Sequence, residues 1–236
     1  MTILLLRLTG PMQSWGTYSR FTVRDAGTEP SKSGVIGLLC SALGRTRDEP
    51  VDDLANLKMG VRVDREGVVN VDYHTAGGTH RKGESYGVLK ATGLVSRDAV
   101  TSNRYYLADA DFLIGLSGDG SLLQEAGRAI AEPVMQIYLG RKSFVPATPV
   151  HIPDGFRTES DLESALVRYP WPRLGVRVPG KRPDRLRFVI EADNSESGEI
   201  RRDQPVGAAF LHRRFLLRHV KTSFHALGDE VPMREE

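Results

Sequence analysis

The chain opens on an apolar run, Ile3 to Leu8 broken only by Arg7, and stops at the loop Gly10-Pro11-Met12-Gln13-Ser14-Trp15-Gly16. A short apolar run ended by glycine and proline predicts a buried strand. From Ser33 to Leu43 the apolar positions (Val35, Ile36, Leu38, Leu39, Ala42, Leu43) change to helical spacing. Ser31 or Ser33 stands where an N-cap belongs and Gly44 where a left-handed C-terminal residue belongs. Gly34 and Gly37, on one face of that helix, allow a close approach to the sheet. Lys58 to Val63 and Val68 to Tyr73 read as two strands, and the intervening Asp64-Arg65-Glu66-Gly67 predicts that they form a hairpin. Ala110 to Leu116 is a further strand, and Ser121-Leu122-Leu123-Gln124 has the spacing of a capping box opening a helix that Pro133 ends.

Between these elements residues 75–106 follow neither period. Gly77, Gly78, Gly83, Gly87 and Gly93 are scattered among Arg81, Lys82, Lys90, Arg97 and Arg104, with only Glu84 and Asp98 as acids, which marks an exposed basic insertion. Beyond Pro133 the pattern is weaker. A short helix is predicted from Ser160 through Arg168, and strands at Leu174 to Val178, Leu186 to Glu191 and Phe210 to Val220, with loops at Gly180 to Asp184 and Asp193 to Gly198. The order β, α, β, β, β, α predicts an α+β fold, a ferredoxin-like or RNA-recognition-type sandwich. Residues 1–74 and 107–236 form its body and 75–106 a hairpin-like protrusion. No internal repeat, heptad run or low-complexity tract is present.

At 236 residues the chain buries a core without staples, and its one cysteine, Cys40, lies in the helical pattern as a packed thiol. That usage predicts a reducing, cytoplasmic setting, and no zinc site built on cysteine pairs. Arg7 interrupts the opening run and no small-residue cleavage site follows, so neither a signal peptide nor a membrane span is expected. Net charge is only +2, so any basic surface comes from how the charges are distributed.

Four places gather chemistry suited to nucleic acid. In the first loop Gln13 offers amide hydrogen bonds and Trp15 either stacks on a base or packs into the core. Pro30-Ser31-Lys32-Ser33-Gly34 pairs a helix N-terminus with hydroxyls and a lysine, which suits a phosphate or is an ordinary capped helix. It lacks the spacing of a nucleotide-triphosphate loop. Tyr138-Leu139-Gly140-Arg141-Lys142-Ser143 repeats the combination. Finally, Arg201, Arg202, Arg213, Arg214, Arg218 and Lys221 are either phosphate contacts or the solvated face of an edge strand. Catalytic chemistry has thinner support: His74, Tyr73 and Lys82, with His80 and Arg81 nearby, are the residue types of metal-independent RNA cleavage, and they equally suit structure or RNA contact. No metal-enzyme motif occurs and no cofactor is expected.

In order along the chain, the Gly10 to Gly16 loop, Pro30-Ser31-Lys32-Ser33-Gly34-Val35-Ile36-Gly37-Leu38, Asp72-Tyr73-His74-Thr75 and Tyr138 to Ser143, and more loosely Arg201 to Val220, resemble the CRISPR-associated Cas-five family, in the CasD-type form found in type I-E Cascade. Residues 75–106 and 150–200 match mainly in position and length. The resemblance implies a modified RNA-recognition fold with a thumb, in a non-catalytic subunit that caps the 5′ handle of the guide RNA. It implies contacts to a CasC-type backbone subunit and a CasA-type large subunit, with target DNA involved only indirectly. Its alternative within the family is an endoribonuclease that trims the CRISPR repeat. On this reading the RNA-binding residues are Gln13, Trp15, Ser31, Lys32, Ser33, His74, Arg81, Lys82, Arg104, Arg141 and Lys142. The aromatic RNP1 signature is absent, so loops and helix ends carry the binding.

Overall fold

The computed structural model describes residues 1–18, 22–78, 87–89, 92–96, 98–172, 183–192 and 198–233. Along the chain run β1 (Thr2–Thr9), β2 (Met12–Gln13), β3 (Val23–Arg24), α1 (Lys32–Leu43), α2 (Asp52–Ala55), β4 (Lys58–Arg65), β5 (Val68–Ala76), β6 (Val100–Ala108) and β7 (Asp111–Ser117). Then come α3 (Gly120–Ala131), β8 (His151–Thr158), α4 (Leu162–Arg168), β9 (Arg185–Glu191), β10 (Glu199–Pro205), α5 (Ala209–His212) and β11 (Phe215–Ala226).

Seven of these strands pair in the order β10–β11–β9–β4–β7–β1–β8, every neighbour antiparallel. The opening run is apolar at successive positions because both faces of β1 are covered. Leu4, Leu6 and Leu8 join the core beneath α1 and α3, while Ile3 and Leu5 join a second core beneath α4, with Leu166, Trp171 and Phe188. Arg62 ties α4 to the sheet: Nε donates to Asp64 at 2.7 Å and Nη1 donates to the carbonyls of Leu166, at 2.6 Å, and Tyr169.

A second, four-stranded sheet is built around β6. β2 and β3 pair with β6, the latter in parallel, and β5 pairs with it along its whole length from Val68↔Ala108 to Ala76↔Val100. The predicted hairpin between the strands at 58–63 and 68–73 is therefore corrected. β4 lies inside the large sheet between β7 and β9, whereas β5 leaves for the other sheet through Gly67, whose φ of +73° turns the chain. Burial explains the choice: Met59 to Asp64 are all buried, whereas β5 is exposed almost throughout. The residues joining β5 to β6 lie within the predicted insertion, and 79–86, 90–91 and 97 fall outside the described residues.

Helix α1 starts as expected, Ser31 Oγ accepting from the Gly34 amide at 3.3 Å, and Gly44 closes it at φ +76°. For α3 the cap is Asp119, which accepts from the Leu122 amide at 2.8 Å, and not the expected Ser121, whose hydroxyl donates to Asp119. The Phe210 to Val220 run splits at Arg213, with α5 before it and β11 after it. β8 escapes sequence reading because Pro153 and Gly155 interrupt its pattern; its register against β1 shifts between Leu4 and Leu6, a position that tolerates them. The strand expected at Leu174 to Val178 lies outside the described residues.

Candidate nucleic-acid interface

The first loop is turned inward. Gln13 is fully buried: Nε2 donates to the carbonyls of Ala110, at 2.8 Å, and Leu8, at 3.2 Å, and Oε1 accepts from Trp15 Nε1 at 3.1 Å. The indole lies in the core against Gly34, where an added Cβ would come within 2.8 Å of the ring. Neither side chain offers a surface to RNA. The close approach that the glycines permit is to the protein's own backbone: a Cβ on Gly16 would meet the Asp25 carbonyl at 2.4 Å, and one on Gly140 the Ser14 carbonyl at 1.9 Å.

The N-terminus of α1 already holds an anion, and that anion is Asp203 of β10. Its Oδ2 accepts from the Lys32 amide at 2.7 Å, and Arg218 grips the same carboxylate at 2.7 and 3.0 Å. Lys32 itself is 1% exposed, with Nζ at 3.1 and 2.9 Å from the two carboxylate oxygens of Glu191 in β9. Burial lowers the pKa of this ammonium and Glu191 opposes the shift. Ser31 is buried by its capping role, and Ser33 is half-buried beside it, their hydroxyls 3.5 Å apart. The expectation of a phosphate cradled at Ser31 and Lys32 is corrected accordingly: the positive helix end and the lysine are neutralised by carboxylates from strands far along the chain.

A cationic cluster does form on the second sheet. Arg24 of β3 sits beside Arg104 of β6 in the parallel register, and Arg141, from the loop after α3, reaches the same place. Arg141 Nη2 donates to the backbone carbonyls of Tyr105, at 2.8 Å, and Arg24, at 3.4 Å, and its guanidinium lies 5.4 Å from the centre of the Phe144 ring. Carbonyls and an aromatic face fix the group without neutralising it. Burial, and after it the charge of Arg104, lower the Arg141 pKa, and Arg24 adds to the repulsion; Asp72 and Asp25 oppose them. Like charges held together in this way favour an anion between them.

Across the β5–β6 ladder Asp72 stands opposite Arg104, and it lies 3.5 Å from His74 Nδ1. Arg104 Nε donates to Ser102 Oγ at 3.0 Å, which places Asp72, His74, Ser102 and Arg104 on one face. Lys142 is exposed next to Arg141 and forms no ion pair among the described residues. Tyr73 projects from the opposite face to His74, 69% exposed, so the tyrosine and histidine of the considered cleavage site do not meet. His80, Arg81 and Lys82 lie outside the described residues.

Of the residues expected from sequence to bind RNA, His74 and Arg104 share this face, Arg141 reaches it and Lys142 is exposed next to Arg141; Arg24 was not among those expected. Arg24 belongs to a two-residue strand with no periodicity of its own; Gly16 and Asp25, whose carboxylate accepts from the amides of Thr17 and Tyr18 at 3.0 Å each, fold the chain back to it. Among the C-terminal cations, Arg218 is buried on Asp203, and Arg201 pairs with Glu29 and Glu199 at 3.3 and 2.9 Å. Arg202, Arg213, Arg214 and Lys221 are exposed. Among the described residues no group of three or more histidine, cysteine or acidic side chains suits a metal ion, and no helix is long and apolar enough to cross a membrane.

A guanidinium cluster on the smaller of two sheets in an α+β body is an arrangement suited to gripping a phosphate chain. The family model described as CRISPR-associated protein (Cas_Cas5) matches residues 3–221. The CRISPR system Cascade subunit CasD of Escherichia coli (strain K12) is 33% identical over 180 residues, covering 70% of this chain and 76% of CasD. Among solved structures, one described as a Cas protein superposes with a TM-score of 0.75 at 42% identity over 98% of both chains. A chain of a CRISPR RNA-guided surveillance complex superposes with a TM-score of 0.76 at 33% identity, over 95% of this chain and 90% of that one. The chain belongs to the Cas_Cas5 family of CRISPR-associated proteins.

Proposed function

We propose that this protein is a non-catalytic subunit of a Cascade-type CRISPR interference complex, acting in the cytoplasm, that binds and caps the 5′ handle of the guide RNA. The observation that carries the reading is the cluster of Arg24, Arg104 and Arg141, in which backbone carbonyls and a phenyl face fix Arg141 and three guanidinium groups outnumber the neighbouring carboxylates of Asp72 and Asp25. Lys142 and His74 extend it, and Arg81 and Lys82 are assigned to it from sequence. The similarity to CasD, a Cascade subunit, and to a chain of an RNA-guided surveillance complex supports the assembly.

The body is read as ferredoxin-like: β1, α1, β4, β7, α3 and β8 follow the βαββαβ order, and their strands pair as β4–β7–β1–β8. Residues 75–106, carried on β5 and β6, are read as the thumb that meets the CasC-type backbone subunit; a CasA-type large subunit is the second protein neighbour. Affinity comes from cations on phosphates, so removing one such cation reduces the salt dependence of binding to single-stranded RNA by about 0.7 in log–log slope.

The test is co-expression with the other subunits and a CRISPR array, followed by sequencing of the bound RNA. Handle-bearing RNA in the wild-type assembly, depleted with Arg24, Arg104 and Arg141 all changed to alanine, is expected. An unchanged RNA content would refute the site. A specific cut of repeat RNA in chelator, abolished in His74→Ala, would overturn the non-catalytic reading.

A further inference from the structure

The β10–β11 end of the large sheet carries a surface that RNA holding leaves unused. Register places Ile200 of β10 opposite His219 of β11, on the face opposite to Arg201 and Arg218. Leu217 and Lys221 flank His219 at two-residue spacing on the same face, and Arg202 joins them because its neighbour Asp203 turns to Arg218 on the other face, across the irregular register between Arg201 and Gln204. Ile200 is 55% exposed and Leu217 59% exposed, although strand positions facing a covered sheet are normally buried. Arg202 and Lys221 are exposed too and form no ion pair among the described residues, as do Arg213 and Arg214 in the turn that enters β11.

The two faces of this strand pair differ in charge balance. On one, Arg201 and Arg218 are matched by Glu29, Glu199 and Asp203. On the other, the carboxylates of Glu163 and Glu230 lie at the far end of β11, taken up by Ser223 and His225, and leave Arg202 and Lys221 unmatched. We infer that this face docks a protein segment bearing acidic and aliphatic side chains. The aliphatic pair decides between classes of partner: a phosphate backbone would satisfy the cations yet leave Ile200 and Leu217 in water. A protein interface instead buries aliphatics at its centre and matches charges at its rim. The inference rests on the proposed membership of a multi-subunit complex.

The test uses the assembled complex, with its backbone and large subunits and guide RNA, carrying a photo-crosslinking amino acid in place of Leu217. The expected product is an adduct to a peptide of one of those subunits rich in aspartate or glutamate and aliphatic residues. An adduct to RNA, to added target DNA or to a second copy of this chain, or no adduct in an assembly with full RNA content, would overturn the proposal. In parallel, Arg202→Glu with Lys221→Glu is expected to weaken retention of that subunit at least tenfold with the melting temperature and RNA content unchanged, and Arg202→Lys with Lys221→Arg to keep it. Undiminished retention in the double glutamate variant would refute it. Loss of RNA from the wild-type assembly would count against the RNA-holding role alone.

Discussion

Replacing Lys32 by methionine keeps most of the side-chain volume and removes one charge from the network at the start of α1. In the wild type Nζ lies at 2.9 and 3.1 Å from the Glu191 oxygens, 1% exposed. Without it Glu191 retains the Met59 amide at 3.3 Å and a distant Arg218 Nη1 at 3.8 Å. Breaking a buried ion pair costs about 3–5 kcal/mol. Since Glu191 is 18% exposed and part of its charge is met by water, about 2–3 kcal/mol is expected here. For a chain of this length that loss lowers the melting temperature by about 4–12 °C. Urea unfolding of Lys32→Met, Glu191→Gln and the double variant measures it: the double variant is expected to recover part of the loss, because no uncompensated carboxylate remains. The salt slope of RNA binding is expected not to change. A variant of wild-type stability with a reduced salt slope would refute the burial argument and restore Lys32 as a phosphate contact.

Arg141→Ala is expected to reduce the salt slope of RNA binding by about 0.7 and to leave the melting temperature nearly unchanged; RNA titrations at several salt concentrations and a thermal melt check the pair. Burial pushes the Asp111 carboxyl up to about 6, with Arg7 opposing, so its folded pKa lies above the unfolded value. Its contribution to stability is therefore present below about pH 4 and lost as the pH rises through about 6; Asp111→Asn should flatten that part of the stability profile, and an unaltered profile would contradict the assignment. Gly34→Ala gains up to about 1 kcal/mol of helix propensity but drives a Cβ to within 2.8 Å of a buried indole, a clash worth about 1–3 kcal/mol, so net destabilisation is expected in thermal unfolding. Burial raises the Cys40 thiol to about 11, so a thiol reagent should label it only when denaturant opens the fold, and rapid labelling of native protein would contradict its packing.

Local signals carried much of the fold. The run at Ile3 to Leu8 is apolar on consecutive positions because two cores meet at β1, and the cap and glycine of α1 act within a few residues of each other. Pairing did not follow from the same signals. The 58–63 and 68–73 strands satisfy a hairpin pattern, yet each has a better partner elsewhere, β9 and β7 for one and β6 for the other. The site divides in the same way. Residue type alone suggested Lys32 as a phosphate contact, and no local pattern reveals that Asp203 and Glu191 return from more than 150 positions away to neutralise that helix start. Arg141 stands out in sequence through the aromatic, glycine and second cation around it, and Arg104 as one cation of the glycine-rich 75–106 stretch, whereas Arg24 comes beside them only through tertiary folding, with Asp25 turning the chain.

On the function proposed above, the Arg24, Arg104 and Arg141 face holds the guide RNA while the buried N-terminus of α1 does not. Ultraviolet crosslinking of the assembled complex to its own guide RNA, with mass-spectrometric mapping of the crosslinked peptides, tests this directly. Adducts are expected on peptides spanning residues 100–108 and 138–144, joined to nucleotides of the 5′ handle. Adducts confined to the segment around Lys32, or to the β10–β11 surface, would contradict it.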